Sequence, residues 1–149
     1  MPVSPPLFHQ ETEYSCGPAC LRMILAHLGE SKKELYLREL CDCTTEGTRE
    51  RQLVTAARKL GFGRSRNYSR GLDLKDLVEF VEQAIYPIVF LRTCLEPATP
   101  QQKHAVVVVE VSEEKVVVND PWRGEHIYSS QDFLFEWSSA NRVTIVVER

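Results

Sequence analysis

Apolar positions in the first half of the chain recur at three- and four-residue steps. Leu21, Ile24, Leu25 and Leu28 do so directly after Cys16, which predicts a helix from Cys16 or Gly17 to Leu28. Pro18 is tolerated in a first turn, where a missing N–H costs nothing, and Gly29 is a natural stop. Ser31 is placed to cap a second helix carrying Leu35, Leu37 and Leu40. The stretch CDCTTEGT reads as a loop. Thr48 is placed to cap a third helix through Leu53, Val54, Ala56, Ala57 and Leu60, ended by Gly61. Residues 62–69 form a short strand, and Asp73 caps a fourth helix with Leu74, Leu77, Val78 and Val81 inward.

After Tyr86 the period changes. PIVFLRT, HAVVVVEV, KVVVND and EHIYS each read as a strand, with Ser-Glu-Glu as the turn between the second and third. Ser130 is placed to cap a short helix over DFLFEW, and RVTIVVE is a closing strand. Helices and strands therefore segregate instead of alternating, which predicts an α+β fold with a helical first half and an antiparallel second half. The chain has 149 residues, of which 43% are apolar. That length suits one domain spanning residues 1–149, behind an irregular lead-in shaped by Pro2, Pro5 and Pro6.

Charge narrows the function classes. The formal net charge is −3 and no basic face shows, which speaks against nucleic-acid binding. The run RSRNYSR at 64–70 reads as a solvated edge strand. The N-terminus lacks a charged start followed by a long apolar run. The apolar run AVVVV at 105–109 is far too short to span a bilayer. The expectation is a soluble, cytoplasmic protein without membrane insertion. Five cysteines (16, 20, 41, 43 and 94) are an odd number, which argues against a disulfide framework. Cys41-x-Cys43 lacks the further ligands that zinc requires. It reads as a loop with incidental thiols, and neither a metal nor a cofactor is expected.

Cys16 differs from the other thiols because it sits where a loop meets a helix. The first N–H groups of a helix have no internal partner and its dipole is positive there, so a thiolate is stabilised. Gly17 allows substrate or backbone to approach closely. Such a thiol suits nucleophilic attack, although composition alone favours a buried structural cysteine. Cys20, one turn along the same face, reads as packing. A cysteine nucleophile needs a base, and His104 opens the apolar run AVVVVEV at the mouth of a strand. Pairing 104–111 with 115–120 across the turn brings Asp120 opposite or diagonal to His104 in every register with an even index sum. A carboxylate there would fix the tautomer and support the imidazolium. Asp120-Pro121 is equally readable as a plain turn signal. Trp122 follows and is placed either to wall a substrate groove or to pack. Asn119 and His126 lie near the same strand end without an assigned role.

These residues resemble a family. The segment QETEYSCGPACLRMILAHLG at 10–29 is similar to the first motif of the C39 family of cysteine peptidases. KHAVVVVEV and VVVNDPWRG are similar to its second, and TTEGTRERQLVTAARKLGF to its connecting segment. The resemblance covers nearly the whole chain and implies a papain-like fold, with a helical lobe packed on a sheet. It implies that Cys16 attacks a carbonyl, that His104 pairs with it and protonates the leaving amine, and that Asp120 orients His104. It implies that Gln10, six residues before Cys16, donates its side-chain amide to the oxyanion. Ser15 departs from the family, which often has aspartate there. Well-known members are domains of ABC transporters that cut leader peptides after a double glycine. The implied partners are therefore a peptide or protein substrate and an ABC transporter. No ATPase or membrane segment occurs in this sequence. A peptide-binding module without catalysis, and a thiol acyltransferase resembling phytochelatin synthase, are the alternatives on the same fold.

Overall fold

The architecture was described from a computed structural model, which covers residues 3–92 and 103–149. Pro2, Thr93 and Cys94 lie outside the described residues. Among the described residues five helices form: α1 (Cys16–His27), α2 (Glu34–Leu40), α3 (Glu50–Lys59), α4 (Leu74–Glu82) and α5 (Ser130–Ser139). Six strands form among the same residues: β1 (Arg66–Tyr68), β2 (Ile88–Leu91), β3 (His104–Val111), β4 (Lys115–Asp120), β5 (Gly124–Ser129) and β6 (Thr144–Val146). They build one sheet in the order β1-β6-β2-β3-β4-β5. Every pairing in it is antiparallel. The expected α+β fold is thus present, and the basic 64–70 run contributes an edge strand.

Helix α1 ends as its glycine demands. Gly29 takes φ +91°, its N–H bonds Ala26 O at 3.1 Å and the Glu30 N–H bonds Leu25 O at 2.8 Å. This is the closing pattern that a left-handed residue permits after a helix. Gly61 closes α3 in the same way.

Three expected caps fall elsewhere. The N-cap of α2 is Lys33, not Ser31, and makes no side-chain cap bond. That of α3 is Arg49, not Thr48; the Arg49 N–H is taken instead by Gln52 Oε1 at 2.6 Å. That of α5 is Ser129, not Ser130, with Ser129 Oγ accepting the Asp132 N–H at 3.1 Å. Asp73 caps α4 as expected and exchanges bonds with Asp76. The face of α2 also differs, because Leu35 is exposed while Glu34, Leu37 and Cys41 are buried.

Alternate strand residues feed two cores. Ala105, Val107, Ile88 and Ile145 pack with Cys20, Leu21, Leu25 and Leu53 from the N-terminal helices. Val106, Val108, Val89 and Leu91 pack with Leu77, Phe133 and Trp137 on the opposite face. The sheet is thus covered on both sides. Helix α4 leaves the N-terminal lobe to join α5, since Leu77 belongs to the second core. Fully buried side chains of this size each stabilise the fold by roughly 1.5–3 kcal/mol.

A β-bulge decides which residues meet at the mouth of the β3–β4 hairpin. Near the turn Val111 faces Val116 and Glu110 faces Val117, but further on Val108 faces Val118 and Val107 faces Asn119. Val109 is the extra residue. Continued to the strand ends, the shifted register sets Asp120 opposite Val106, diagonal to His104 and on its face. The unshifted register would set Asp120 opposite Val107, on the face away from His104.

The cap assignments are testable by urea titration. Asp73→Ala and Ser129→Ala are each expected to lower the unfolding free energy by about 1 kcal/mol. Ser31→Ala should stay within about 0.5 kcal/mol. A Ser31 effect as large as that of Asp73 would contradict the assignment.

Candidate active site

Cys16 is the first residue of α1, and Ser15 O accepts the Ala19 N–H at 3.0 Å as the helix begins. The His104 side chain and the N–H groups of Ala105 and Gly17 are the polar groups that act on the Cys16 thiol. Burial alone would push this thiol up. The contact and charge of His104, with the two N–H groups, outweigh it and hold the thiol below its ordinary value. The other described thiols go the opposite way. Burial raises Cys20 well above the ordinary range and Cys41 to about 12. Cys20 has no exposed surface and packs in the helical core.

His104, the first residue of β3, presents Nε2 to Asp120 Oδ1 at 2.6 Å. With Nε2 so held, Nδ1 is the nitrogen left for the thiol. Burial would depress the imidazole, but Asp120 and Cys16 together lift it to about 10. The pair is therefore set for thiolate and imidazolium at neutral pH.

Asp120 ends β4 and has no exposed surface. A carboxylate so placed is costly unless its oxygens are satisfied. Four donors satisfy it. Besides His104 they are the Trp122 N–H at 2.8 Å, the Arg123 N–H at 3.3 Å and Arg123 Nε at 3.1 Å. Burial pushes this carboxyl up, but His104 and the other donors bring it down to about 2. Arg123 is fixed in turn by Tyr128, whose hydroxyl accepts from Nη2 at 2.7 Å.

Gln10 is brought to the same end of the sheet, because its N–H donates to Pro121 O at 2.9 Å. Its side-chain Nε2 donates to Thr12 O at 2.7 Å, while Oε1 is buried without a partner. The amide is thus turned onto its own loop rather than onto Cys16. One Nε2 proton stays free beyond the Thr12 bond. Asn119 anchors the lead-in to this strand end, with Nδ2 donating to Pro5 O at 3.0 Å.

Gly17 and Trp122 differ in exposure. Gly17 is buried, and a Cβ there would stand 3.4 Å from Leu53 Cδ1 and from Thr48 Cβ. Trp122 contributes its backbone N–H to Asp120, while the residue is 52% exposed. About half of it thus faces solvent beside the strand end that carries Asp120. His126 lies on β5 with its ring against Tyr128 at 4.6 Å. Among the described residues, no group of three or more His, Cys, Asp or Glu side chains is arranged to hold a metal ion, and no helix is long and apolar enough to cross a membrane.

Sequence reading passed over Arg123 and Glu34. Arg123 sits three residues after a buried carboxylate, inside a turn that folds it back. Glu34 shares the buried stripe of α2 with Leu37 and Cys41 at helical spacing. An acidic residue on an apolar stripe is a readable signal.

A carboxyl whose folded pKa is depressed stabilises the fold above its ordinary pKa and loses that contribution as pH falls through the folded value. For Asp120 the window runs from its ordinary 3.8 down to about 2. The difference in unfolding free energy between wild type and Asp120→Asn is expected to shrink by about 2 kcal/mol across that window. A difference independent of pH there would contradict the ion pair.

The sequence model of the peptidase C39 family matches residues 4–149. The chain is 26% identical over 132 residues to the lactococcin-G-processing and transport ATP-binding protein LagD of Lactococcus lactis. That match takes in 89% of this chain and 18% of LagD, so the chain spans under a fifth of that relative. It is 32% identical over 115 residues to an uncharacterized protein of Methanothermobacter thermautotrophicus, covering 77% of this chain and 70% of that protein. Among solved structures it resembles the peptidase domain of Streptococcus ComA, a bi-functional ABC transporter involved in a quorum sensing pathway. The TM-score is 0.78 at 25% identity, with 96% and 98% of the two chains covered. The fold is thus that of the papain-like C39 peptidase domains, and the chain belongs to the peptidase C39 family.

Proposed function

We propose that this protein is a cysteine peptidase that cleaves leader peptides through Cys16, His104 and Asp120, without a cofactor. One observation carries the reading. A buried carboxylate holds His104 Nε2 at 2.6 Å, and the same ring reaches a thiol at the start of a helix. Binding alone has no use for a thiol held below its ordinary pKa beside an imidazole held above its own.

In the proposed reaction the Cys16 thiolate attacks the scissile carbonyl carbon. The S–C bond forms and the carbonyl π electrons move onto oxygen. Collapse of that intermediate breaks the C–N bond as the His104 imidazolium gives its proton to the leaving amine. A thioester remains. Water, losing a proton to neutral His104, attacks it and releases the carboxylic acid and the thiol. Asp120 keeps the imidazole in one tautomer throughout and supports its charge. Gln10, its backbone held at Pro121, turns its amide from Thr12 toward the developing oxyanion. The processing activity and a partnership with an ABC transporter extend what the names of LagD and ComA say of those proteins, and the leader-peptide substrate follows the family resemblance.

The thiolate is checked by the rate of Cys16 alkylation with iodoacetamide against pH. Wild type is expected to react well below pH 8, and His104→Ala to shift the midpoint to ~8.5. The same ordinary midpoint in both proteins would overturn the reading. Turnover is checked with peptides that span a double-glycine leader junction, with Cys16→Ala as the inactive control. Gln10→Ala should lower kcat by ~10²–10³ while alkylation holds. An unchanged kcat would remove Gln10 from the oxyanion site.

A further inference from the structure

The loop from Gln10 to Cys16 has to hold two groups at a fixed separation, and only one end of it belongs to regular structure. Its other support comes from outside the site. Glu34, the first residue of α2, has no exposed surface. Both of its carboxylate oxygens accept the Glu11 N–H, at 3.0 and 3.2 Å. The hydroxyl of Ser15 gives its one proton to Thr12 O at 3.2 Å, so the carboxylate holds the loop at Glu11. Arg38, one turn along α2, sets Nε 3.0 Å from Oε2 as the counter-ion. Glu11 directly follows Gln10, and Ser15 directly precedes Cys16. One buried carboxylate therefore ties the Gln10 end of the loop to α2, and Ser15 joins that end to Cys16 through Thr12.

From the opposite side the Gln10 N–H is held by Pro121 O at 2.9 Å. Within the loop Ser15 Oγ accepts the Thr12 N–H at 3.1 Å. Thr12 is the residue whose carbonyl receives the Gln10 amide. The chain of contacts runs from α2 through the loop to the side chain proposed to meet the oxyanion. A buried carboxylate is retained at a cost in desolvation. Burial does push Glu34 up, against the pull of the Glu11 N–H, Ser15 and Arg38. An apolar side chain of like size would avoid that cost but leave the Glu11 N–H unpaired.

We propose that Glu34 is a positioning residue for the oxyanion site: through the Glu11 N–H it sets the separation of Gln10 from Cys16. This rests on the cysteine-peptidase reading. Cys16 itself is also fixed by α1 and His104. Loss of Glu34 should therefore disturb the oxyanion site while leaving the thiolate intact. The carboxylate is needed in that space, not at that position in sequence. An aspartate at position 15 should supply it from the other side.

The test compares two reactions of Cys16 in the full chain. Iodoacetamide alkylation reports the thiolate alone. Addition of acetyl-glycyl-glycinal reports the oxyanion site as well. In that addition the sulfur bonds to the aldehyde carbon, and the former carbonyl oxygen takes the electron pair and then the proton of His104. Glu34→Gln is expected to weaken the aldehyde adduct by about 10- to 100-fold and to change alkylation by less than about twofold. The double variant Ser15→Asp with Glu34→Gln is expected to recover most of that affinity. Glu34→Asp, which keeps the charge but draws the oxygens back from the Glu11 N–H, gives the same comparison in case Glu34→Gln does not fold. A fall in thermal stability with both reactions unchanged, or lowered together, overturns the inference and leaves the peptidase reading standing. Failure of wild type to form the adduct, with alkylation at an ordinary thiol midpoint, overturns both.

Discussion

The His104–Asp120 ion pair is the interaction on which the site depends. Its 2.6 Å contact lies at the open end of a hairpin whose carboxylate has no solvent exposure. A charge in that position is stable only if surrounded by donors, and the turn after β4 supplies them. The Asp-Pro-Trp-Arg sequence folds two backbone N–H groups and one guanidinium onto Asp120. The carboxylate in turn keeps the imidazole protonated, and the imidazolium keeps the thiol ionised. Each charge thus favours the next.

This arrangement depends on a feature that carries no chemistry. The bulge at Val109 shifts the hairpin by one residue, so that His104 and Asp120 share a face. The apolar pattern HAVVVVEV announces a strand buried on both faces. Five consecutive apolar residues leave no alternation from which to read a bulge. That is why index arithmetic could reach only a conditional statement about the pair, while the bulge itself appeared in the structure.

Much of the rest was legible. Helix periods, the glycines that end α1 and α3 and the Asp73 cap all follow from local rules, and the structure agrees with them. Local rules misplaced Ser31, Thr48 and Ser130 because tertiary contacts decide which residue turns toward a helix end. Thr48 is drawn against Gly17, and the two adjacent serines at α5 differ only in which one faces the Asp132 N–H. The same limit hid α4's place on the second face of the sheet, since its amphipathic pattern does not say which core it joins. Of the site residues, Cys16 and His104 are marked by position at a helix start and a strand mouth. Gln10 is marked only through family resemblance, for a glutamine in an irregular loop has no physical signature. Glu34 and Arg123 act through other residues, and their roles become visible only once their partners are placed.

The central claim is that His104 is an imidazolium at neutral pH, held so by Asp120 on one nitrogen and Cys16 on the other. A nuclear magnetic resonance titration of the nitrogen-labelled His104 ring tests it most directly. Both ring nitrogens should stay protonated through neutral pH, with the proton lost near pH 10. A ring that loses its proton near its ordinary 6.5, and so is neutral at pH 8, would contradict the account.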